Sequence, residues 1–298
     1  MKKFPLKPKL IVIVGSTSAG KTSLSVALAE KFGGEIISAD SRQVYRGFDL
    51  GSGKVTEEEM RGIPHHLLDV ADPKKIYTAA HYKKDVKKAL AEIYGRNKIP
   101  LLVGGTGFYI DAVVKDLTVP RVKPDKKLRA LLEKESAARL FARLKKADRE
   151  RAKTIDPKNK RRLIRALEIV RKLGQVPKIK TASPFEVLSL GIKRENEELK
   201  KRIRRRILDR MDQGMLEEVK NLRQNGVSWK RLYDLGLEYR YLSLHLRGRL
   251  TAEQMLDELE RATWRFAKRQ WTWFKRDKKI HWIKTTKEAE KLVKHFLQ

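Results

Sequence analysis

The first third of the chain alternates between short apolar runs and amphipathic stretches. The β-branched run at 9–14 ends at a glycine, as expected for a buried strand. Two further apolar runs, at 35–38 and 99–103, also predict strands. Between them, apolar residues at helical spacing predict helices over 21–32 and 79–94. Strands that alternate with helices in this way predict an α/β fold built on a parallel sheet.

The pattern changes at Pro120. From 123 to about 173 the residues follow a helical period almost throughout, and 185–192 is typical of a strand that returns to the first sheet. Three more amphipathic stretches predict helices over 195–213, 216–225 and 251–275. The last of them opens with Thr251 and Gln254, which have the spacing of a capping box.

Charge is distributed unevenly over these elements. The chain carries 69 Lys and Arg against 37 Asp and Glu, a formal net charge of +32. Residues 1–120 hold 19 basic and 13 acidic residues, so 50 basic and 24 acidic residues lie in 121–298. Such an excess repels itself in a compact fold. It therefore favours a polyanionic partner such as nucleic acid over the alternative, a basic surface kept for solubility.

The composition excludes several classes of protein. With no cysteine among 298 residues, the chain has no disulfide, no thiolate metal site and no thiol nucleophile, and it agrees with a cytoplasmic location. No apolar run approaches the roughly 18 residues that a membrane span needs, so we expect no membrane partner. His65 and His66 lack further ligands at a suitable spacing, which favours a structural role over a metal site.

One motif predicts a phosphate site. The eight residues that follow the first apolar run fit the pattern G-x-x-x-x-G-K-[ST]: Gly15, Ser16, Thr17, Ser18, Ala19, Gly20, Lys21 and Thr22. They lie between a predicted strand and a predicted helix, where backbone N–H groups and the helix dipole can hold a phosphate. Lys21 would supply charge to the phosphate oxygens, and the Thr22 hydroxyl is placed to bind Mg²⁺. The motif therefore predicts binding of a diphosphate or a triphosphate.

Asp40, just after the second predicted strand, is the candidate acidic group. The carboxyl ends of the strands face the same crevice as the phosphate loop, so we expect Asp40 to point into the site. From the residues alone it is a Mg²⁺ ligand, a general base or an Asx-turn residue that ends the strand. The third strand ends without a carboxylate, unlike that of an NTPase. A small-molecule or nucleotide kinase and a non-catalytic RNA-binding protein with a relic loop remain the alternatives.

Six blocks in one order carry a resemblance to a known family. They are GSTSAGKT, DSRQVYRGFDLGSGK, PHHLLDV, IPLLVGGTGFYI, RRLIRALEI and AKRQWTWF, and they run through nearly the whole chain. In these blocks the chain resembles the tRNA dimethylallyltransferases, also called tRNA isopentenyltransferases or IPP transferases. The resemblance implies Mg²⁺-assisted transfer of a dimethylallyl group from dimethylallyl diphosphate to N6 of adenine 37, next to the tRNA anticodon.

The resemblance also implies an architecture: a P-loop parallel sheet with an inserted helical subdomain and C-terminal helices. We expect 1–120 to form the first part of the catalytic core, 121–180 to be the insertion that contacts the anticodon arm, and 181–298 to be the rest of the core with basic helices. The implied partners are dimethylallyl diphosphate and a tRNA with adenines at positions 36, 37 and 38, and we expect a monomer. Three features depart from the family pattern: Val55 stands where a Pro often follows the Lys of GFDLGSGK, the stretch 123–161 is short, and RLYDLGLEYRYL retains only part of a Gly-Tyr block.

Individual residues receive roles from the resemblance. Asp40 is the general base toward the N6 amine, while Thr17 and Arg206 bind the diphosphate near its leaving oxygen. On the residues alone, Arg206 is one of four arginines within 202–206, so contact with the RNA backbone is the alternative. The implied tRNA contacts are Asp40, Ser41, Arg42, Gln43, Thr106, Arg161, Arg162, Leu163, Ile164 and Arg165. On a helix, Arg161 and Arg165 share a face, whereas Leu163 and Ile164 can turn toward a core.

Overall fold

The structure, a computed structural model, describes residues 7–117, 120, 122–177 and 183–298. Contacts within the chain divide these residues into two compact units. The larger unit contains 7–116 and 183–298, and the smaller unit contains the described residues between them. The remaining positions of the three segments expected from the sequence, 1–6, 118–119, 121 and 178–182, lie outside the described residues.

The larger unit is built on a parallel sheet. Its described strands are β1 (Lys9–Gly15), β2 (Gly34–Ser38), β3 (His65–His66), β4 (Ile99–Gly104), β5 (Glu186–Ile192) and β6 (Ile280–Ile283). They lie in the order β3-β2-β4-β1-β5-β6, and each neighbouring pair is parallel. The predicted α/β fold is thereby confirmed. The sequence pattern does not reveal β3 and β6, because two and four residues are too few to form a recognisable apolar run.

In the larger unit helices cover the sheet, and the smaller unit consists of other helices. Those of the described residues are α1 (Lys21–Phe32), α2 (Glu57–Met60), α3 (Ala79–Gly95), α4 (Gly107–Val114), α5 (Lys126–Leu132), α6 (Ala137–Ala147), α7 (Arg149–Thr154), α8 (Lys160–Leu173), α9 (Asn196–Asp212), α10 (Met215–Gln224), α11 (Trp229–Leu235), α12 (Leu237–Leu246), α13 (Ala252–Phe274) and α14 (Thr286–Leu297). Helices α5 to α8 make up the smaller unit. None of the helices in the described part of the chain is long and apolar enough to cross a membrane.

Both faces of the sheet are buried. In β1, Leu10, Val12 and Val14 pack against the side of α3 and α4, whereas Ile11 and Ile13 pack against the side of α1 and α14. A strand that is covered on both faces needs apolar residues at every position, and this explains the continuous run in the sequence.

Strand β3 also clarifies the role of the histidine pair. His66 Nε2 lies 2.7 Å from Glu35 Oε2, and Arg96 donates to both oxygens of the same buried carboxylate. His65 Nδ1 lies 2.8 Å from the carbonyl oxygen of Ile63. These contacts are internal to the fold, and they agree with a structural role for both histidines.

The long helix α13 begins with the capping box that the sequence predicts. Thr251 Oγ1 accepts a hydrogen bond from Gln254 N at 3.2 Å, and Gln254 Oε1 accepts one from Thr251 N at 3.0 Å. From this start the helix runs for 23 residues and contacts β1, α4, α9 and α12. It therefore connects the helical layer formed by α9–α12 with the edge of the sheet where β1 ends.

The strand register brings three chain segments to that edge. Val14 of β1 lies opposite Gly104 of β4, and Ser38 of β2 lies opposite Val103 of β4. The phosphate loop follows β1, Asp40 follows β2, and Thr106 follows β4. The carboxyl edge of a parallel sheet is where open α/β folds bind their ligands, so the candidate site lies here.

Candidate active site

The phosphate loop folds back over the first turn of α1. Ser18 has φ 61° and Gly20 has φ 100°, so the loop turns sharply before the helix begins. The Lys21 ammonium lies against the loop, where it donates to the carbonyl oxygens of Gly15, at 3.1 Å, and Ser16, at 2.8 Å. Burial lowers the pKa of Lys21 to about 8; the charge of Arg206 acts in the same direction, while that of Asp40 opposes it. An anion above the loop would stabilise the protonated form.

Arg206 differs from the other arginines of its run. Its Nη1 lies 3.4 Å from Thr17 Oγ1, and its Nη2 lies 3.4 Å from the carbonyl oxygen of Gly53. It is half-buried, whereas the side chain of Arg205 is 85% exposed. Burial lowers the pKa of Arg206 to about 10, and the nearby charge of Arg210 adds to this effect. The position of Arg206 therefore favours a role beside the phosphate loop over one on the protein surface.

A second arginine, Arg210, lies one turn further along α9 and approaches Gly53 together with Arg206. Gly53 has φ +62°, and a Cβ atom there would come within 2.0 Å of Arg206 Nη2 and 1.6 Å of Arg210 Nη2. Arg210 Nη1 is 4.0 Å from Glu238 Oε1, and both side chains are largely buried. Burial lowers the pKa of Arg210 and raises that of Glu238. Glycine is favoured at position 53 because its φ is left-handed and because a Cβ atom would occupy the space that both guanidinium groups fill.

The loop that carries Gly53 is held by Glu218 of α10. The carboxylate of Glu218 accepts hydrogen bonds from the backbone N–H groups of Asp49, at 3.0 Å, Leu50, at 2.6 Å, and Gly51, at 3.1 Å. It also accepts one from the Tyr239 hydroxyl at 2.9 Å. The partial Gly-Tyr block noted in the sequence thus contributes Glu238 and Tyr239 to the surroundings of the site, although the sequence pattern assigns neither a role.

Asp40 has two oxygens in different situations. Its Oδ1 accepts hydrogen bonds from Arg42 N at 2.7 Å and Gln43 N at 3.4 Å, which is the geometry of the Asx-turn alternative. Its Oδ2 takes part in no hydrogen bond among the described residues. The Asp40 carboxylate raises the pKa of both Lys21 and Arg206, so it lies near these two cations. One oxygen therefore fixes the turn and the other is available to a substrate.

Ser41 and Thr106 lie together beside Asp40. Ser41 N donates to Thr106 Oγ1 at 3.1 Å, and Thr106 N donates to the carbonyl oxygen of Ala39 at 3.1 Å. These two bonds join the segment after β2 to the segment after β4. The structure thus brings together two of the residues that the resemblance assigns to the tRNA.

Arg42 and Gln43 have partners within the protein. The Arg42 guanidinium donates to the carbonyl oxygen of Leu235 at the end of α11. The Gln43 amide contacts Ser38 Oγ at 2.9 Å and donates to the carbonyl oxygen of Gly53, also at 2.9 Å. Both side chains are half-buried. Their hydrogen bonds connect the segment after β2 to the end of α11 and to the loop that carries Gly53.

The segment 161–165 in the smaller unit is divided between surface and core. Arg161 and Arg162 are exposed. Leu163 and Ile164 are 0% and 3% exposed and pack in the core of this unit, as their helical spacing predicts, while contact of the segment with RNA stays a prediction. Arg165 turns inward, where it donates to the buried carboxylate of Glu168 and to the Val122 carbonyl oxygen.

Gln270 of α13 is the main site residue that the sequence analysis misses. Its Oε1 accepts a hydrogen bond from Thr17 N at 2.8 Å, and its Nε2 donates to the carbonyl oxygen of Gly105 at 3.0 Å. One turn earlier, the carbonyl oxygen of Ala267 accepts a hydrogen bond from Ser16 Oγ at 3.1 Å. The sequence does contain a signal, since Gln270 lies within the block AKRQWTWF and is a polar residue on the buried side of an amphipathic helix.

The donor set near the phosphate loop fits Mg²⁺ that binds together with a diphosphate. Thr22 is the second residue of α1 and is half-buried directly after Lys21. Among the described residues, no group of three or more His, Asp or Glu side chains is arranged to hold a metal ion. Mg²⁺ commonly takes ligands from substrate phosphates and water as well as from the protein, and the Thr22 hydroxyl is the group beside the loop that would add to them.

Comparison with known proteins shows extensive similarity in sequence. The family model for IPP transferase matches residues 43–277. The tRNA dimethylallyltransferase of Pelotomaculum thermopropionicum is 41% identical over 292 residues, which cover 95% of this chain and 93% of that protein. The tRNA dimethylallyltransferase of Bacillus licheniformis is 40% identical over 290 residues, with 94% and 92% covered.

Solved structures agree with these matches. The crystal structure of the full-length tRNA isopentenylpyrophosphate transferase from Bacillus halodurans has a TM-score of 0.75 and 36% identity, with 98% of this chain and 97% of that chain covered. A structure described as a eukaryotic dimethylallyltransferase acting on tRNA has a TM-score of 0.77 and 30% identity, with 89% and 69% covered.

Proposed function

The chain belongs to the IPP transferase family, and we propose that it transfers a dimethylallyl group from dimethylallyl diphosphate to N6 of adenine 37 in tRNA. Prenyl transfer to tRNA follows from this membership. The identity of the base and the roles of individual residues are the proposal. The observation that carries it is the meeting of Thr17 and Arg206, at 3.4 Å, beside the phosphate loop and close to a carboxylate with one available oxygen.

The diphosphate is proposed to bind on the phosphate loop. Backbone N–H groups of the loop and the N-terminus of α1 face the anion, and Lys21 moves its hydrogen bonds from loop carbonyls to phosphate oxygens. Thr17 Oγ1 and Arg206 would contact the leaving oxygen of the diphosphate. There they stabilise the negative charge that develops as the diphosphate departs. Thr22 is the residue that would hold Mg²⁺, which when bound would neutralise part of the diphosphate charge.

The nucleophile is proposed to be the exocyclic N6 of a flipped-out adenine. A base cannot be alkylated while it is stacked in the loop of the tRNA, so it must turn into the site. The N6–C1 bond forms while the C1–O bond of the prenyl diphosphate breaks, and the electron pair of that bond leaves with the diphosphate. Asp40 Oδ2 accepts the proton that N6 loses, which assists because a conjugated amine is a weak nucleophile.

The tRNA is proposed to contact both units of a monomeric enzyme. Ser41 and Thr106, which are bonded to each other next to Asp40, would border the target nucleotide. The exposed Arg161 and Arg162 would contact the backbone of the anticodon arm. The concentration of positive charge in 121–298 supports this proposal, because contacts to phosphates supply most of the affinity for nucleic acids.

The test is mass spectrometry of tRNA nucleosides after incubation with the protein, Mg²⁺ and dimethylallyl diphosphate. A tRNA with adenines at positions 36, 37 and 38 should yield N6-dimethylallyladenosine, and a matched tRNA with guanine at position 37 should not. In parallel reactions, labelled dimethylallyl diphosphate should transfer its label to the tRNA and γ-labelled ATP should not be consumed, because a kinase would consume ATP. No prenylated adenosine from the first tRNA would contradict the proposal.

A further inference from the structure

One side chain connects the two halves of the candidate site. Gln270 accepts from Thr17 N at 2.8 Å through Oε1 and donates to the Gly105 carbonyl oxygen at 3.0 Å through Nε2. It is 6% exposed, so water does not readily replace either bond. Both partners are backbone atoms at the carboxyl edge of the sheet, one after β1 and the other after β4.

The chemistry of the partners requires a side chain that is both acceptor and donor, as the amide of Gln270 is. A backbone N–H can only donate and a backbone carbonyl can only accept, so the side chain between them must supply an acceptor and a donor at once. This fixes the orientation of the Gln270 amide. The fit is also close, because a Cβ atom at Gly105 would lie 2.1 Å from Gln270 Nε2.

The bonds continue from Gln270 to the residues that act on the substrates. On one side, Thr17 carries the hydroxyl that meets Arg206 beside the phosphate loop. On the other side, Gly105 precedes Thr106, whose Oγ1 accepts from the backbone N–H of Ser41, the residue after Asp40. The amide of Gln270 is therefore one direct link between the leaving-group end and the base end of the reaction.

We propose that Gln270 is a positioning residue that fixes the distance between the diphosphate leaving group and the adenine nucleophile. This inference rests on the proposed function, in which Thr17 and Asp40 act at opposite ends of the transferred group. Displacements of about 1 Å in such a geometry lower rates by about 100-fold while the substrates still bind. Gln270 thus acts through Thr17 and through the loop after β4.

The first test is Gln270→Glu, with kcat/KM for dimethylallyl diphosphate compared with that of the wild type at each pH. Ionised, the new carboxylate repels the Gly105 carbonyl oxygen, and the ratio of variant to wild type should be about 0.01 at pH 8. Protonated, the carboxyl group again donates and accepts, so the ratio should rise steadily as pH falls from about 8 toward the pKa of the buried carboxyl group. A ratio that does not change with pH, or that stays near one, would overturn the proposal.

A matched control is available on the same helix. Gln254 accepts a hydrogen bond in the capping box of α13, and Gln254→Glu retains that acceptor at an exposed position. Its ratio to the wild type should stay within about twofold at every pH, which separates the effect of the site from that of an added charge.

A second variant covers the case in which Gln270→Glu fails to fold. Gln270→Met has a similar volume and breaks both hydrogen bonds. We expect kcat to fall at least about tenfold, while the Kd values for tRNA and for inorganic diphosphate change less than about threefold. An unchanged kcat, or Kd values that rise as much as kcat falls, would overturn the positioning role. If the wild type itself makes no N6-dimethylallyladenosine, the failure lies in the proposed function instead.

Discussion

Asp40→Asn separates the turn role that the structure shows for this carboxylate from its proposed role as general base. The amide oxygen of asparagine can still accept from Arg42 N and Gln43 N, so the turn after β2 should persist. A charged acceptor is roughly twice as strong as a neutral one, and the loss of charge should lower the free energy of unfolding by only about 1 kcal/mol. The general base is removed completely, because an amide takes no proton from N6.

The expected loss of rate follows from the role of the base. General bases contribute about 10²- to 10⁴-fold, equivalent to about 2.7 to 5.4 kcal/mol of barrier at 1.36 kcal/mol per factor of ten. The carboxylate also raises the pKa of Lys21, so its loss should bring that pKa further below about 8. The variant is therefore assayed near pH 6.5, where the Lys21 ammonium remains charged and only the base is tested.

Single-turnover transfer at saturating tRNA and dimethylallyl diphosphate gives the rate of the chemical step. The matched control is Asp72→Asn, since Asp72 Oδ1 accepts from the backbone N–H two residues later at 2.8 Å, in the same way as Asp40 Oδ1. The control should transfer at the rate of the wild type, and both variants should bind tRNA within about threefold of it. A rate for Asp40→Asn within tenfold of the wild type would refute the assignment of the base.

Three further outcomes are expected. Because burial lowers the pKa of Lys21 to about 8, diphosphate affinity measured by calorimetry should fall as pH rises above about 8. Lys21→Arg, which stays charged, should abolish that dependence. Arg206→Lys should lower single-turnover transfer about 100-fold, since an ammonium has one nitrogen and lacks the planar fork that reaches both Thr17 and the Gly53 carbonyl oxygen, whereas exposed Arg205→Lys should change it less than twofold. Glu168→Gln breaks a buried cluster with two arginines, and hydrogen exchange in α8 should show a loss of about 3 kcal/mol. Since the folded pKa of Glu168 is lowered to about 2, this difference should disappear as pH falls from about 4.5 to about 2, and a loss that persists there would contradict the assignment.

Local sequence patterns predict the helices and strands that depend mainly on residues adjacent in the sequence. The helix expected over 195–213 is found as Asn196–Asp212, and the strand expected over 185–192 is found as Glu186–Ile192. The helical stretch 123–173 is in fact four helices, and three of its N-caps are Ser136, Asp148 and Asn159. Strands β3 and β6 escape prediction because they form by pairing with β2 and β5, which a short local pattern does not record.

The residues of the candidate site also divide into those that the sequence predicts and those that only the packing of the fold selects. The phosphate loop is contiguous in the sequence, and Asp40 and Thr106 can be assigned to one edge because both follow strands of a parallel sheet. Gln270 and Glu218 cannot be assigned in this way. Their partners are backbone atoms of Thr17, Gly105 and residues 49–51, and backbone atoms are present at every position of any chain. Only the packing of α13 and α10 against those loops selects them.

The distribution of buried charge explains why the site needs an anion. Burial lowers the pKa of Lys21, Arg206 and Arg210, so each of these cations is less stable in the free protein than in water. The carboxylates of Asp40 and Glu238 offset only part of this cost. A bound diphosphate supplies the missing negative charge, and it should therefore raise the free energy of unfolding as it binds. Because partly buried charges are screened much less by salt than exposed ones, this stabilisation should persist at ionic strengths that release tRNA from exposed arginines such as Arg161.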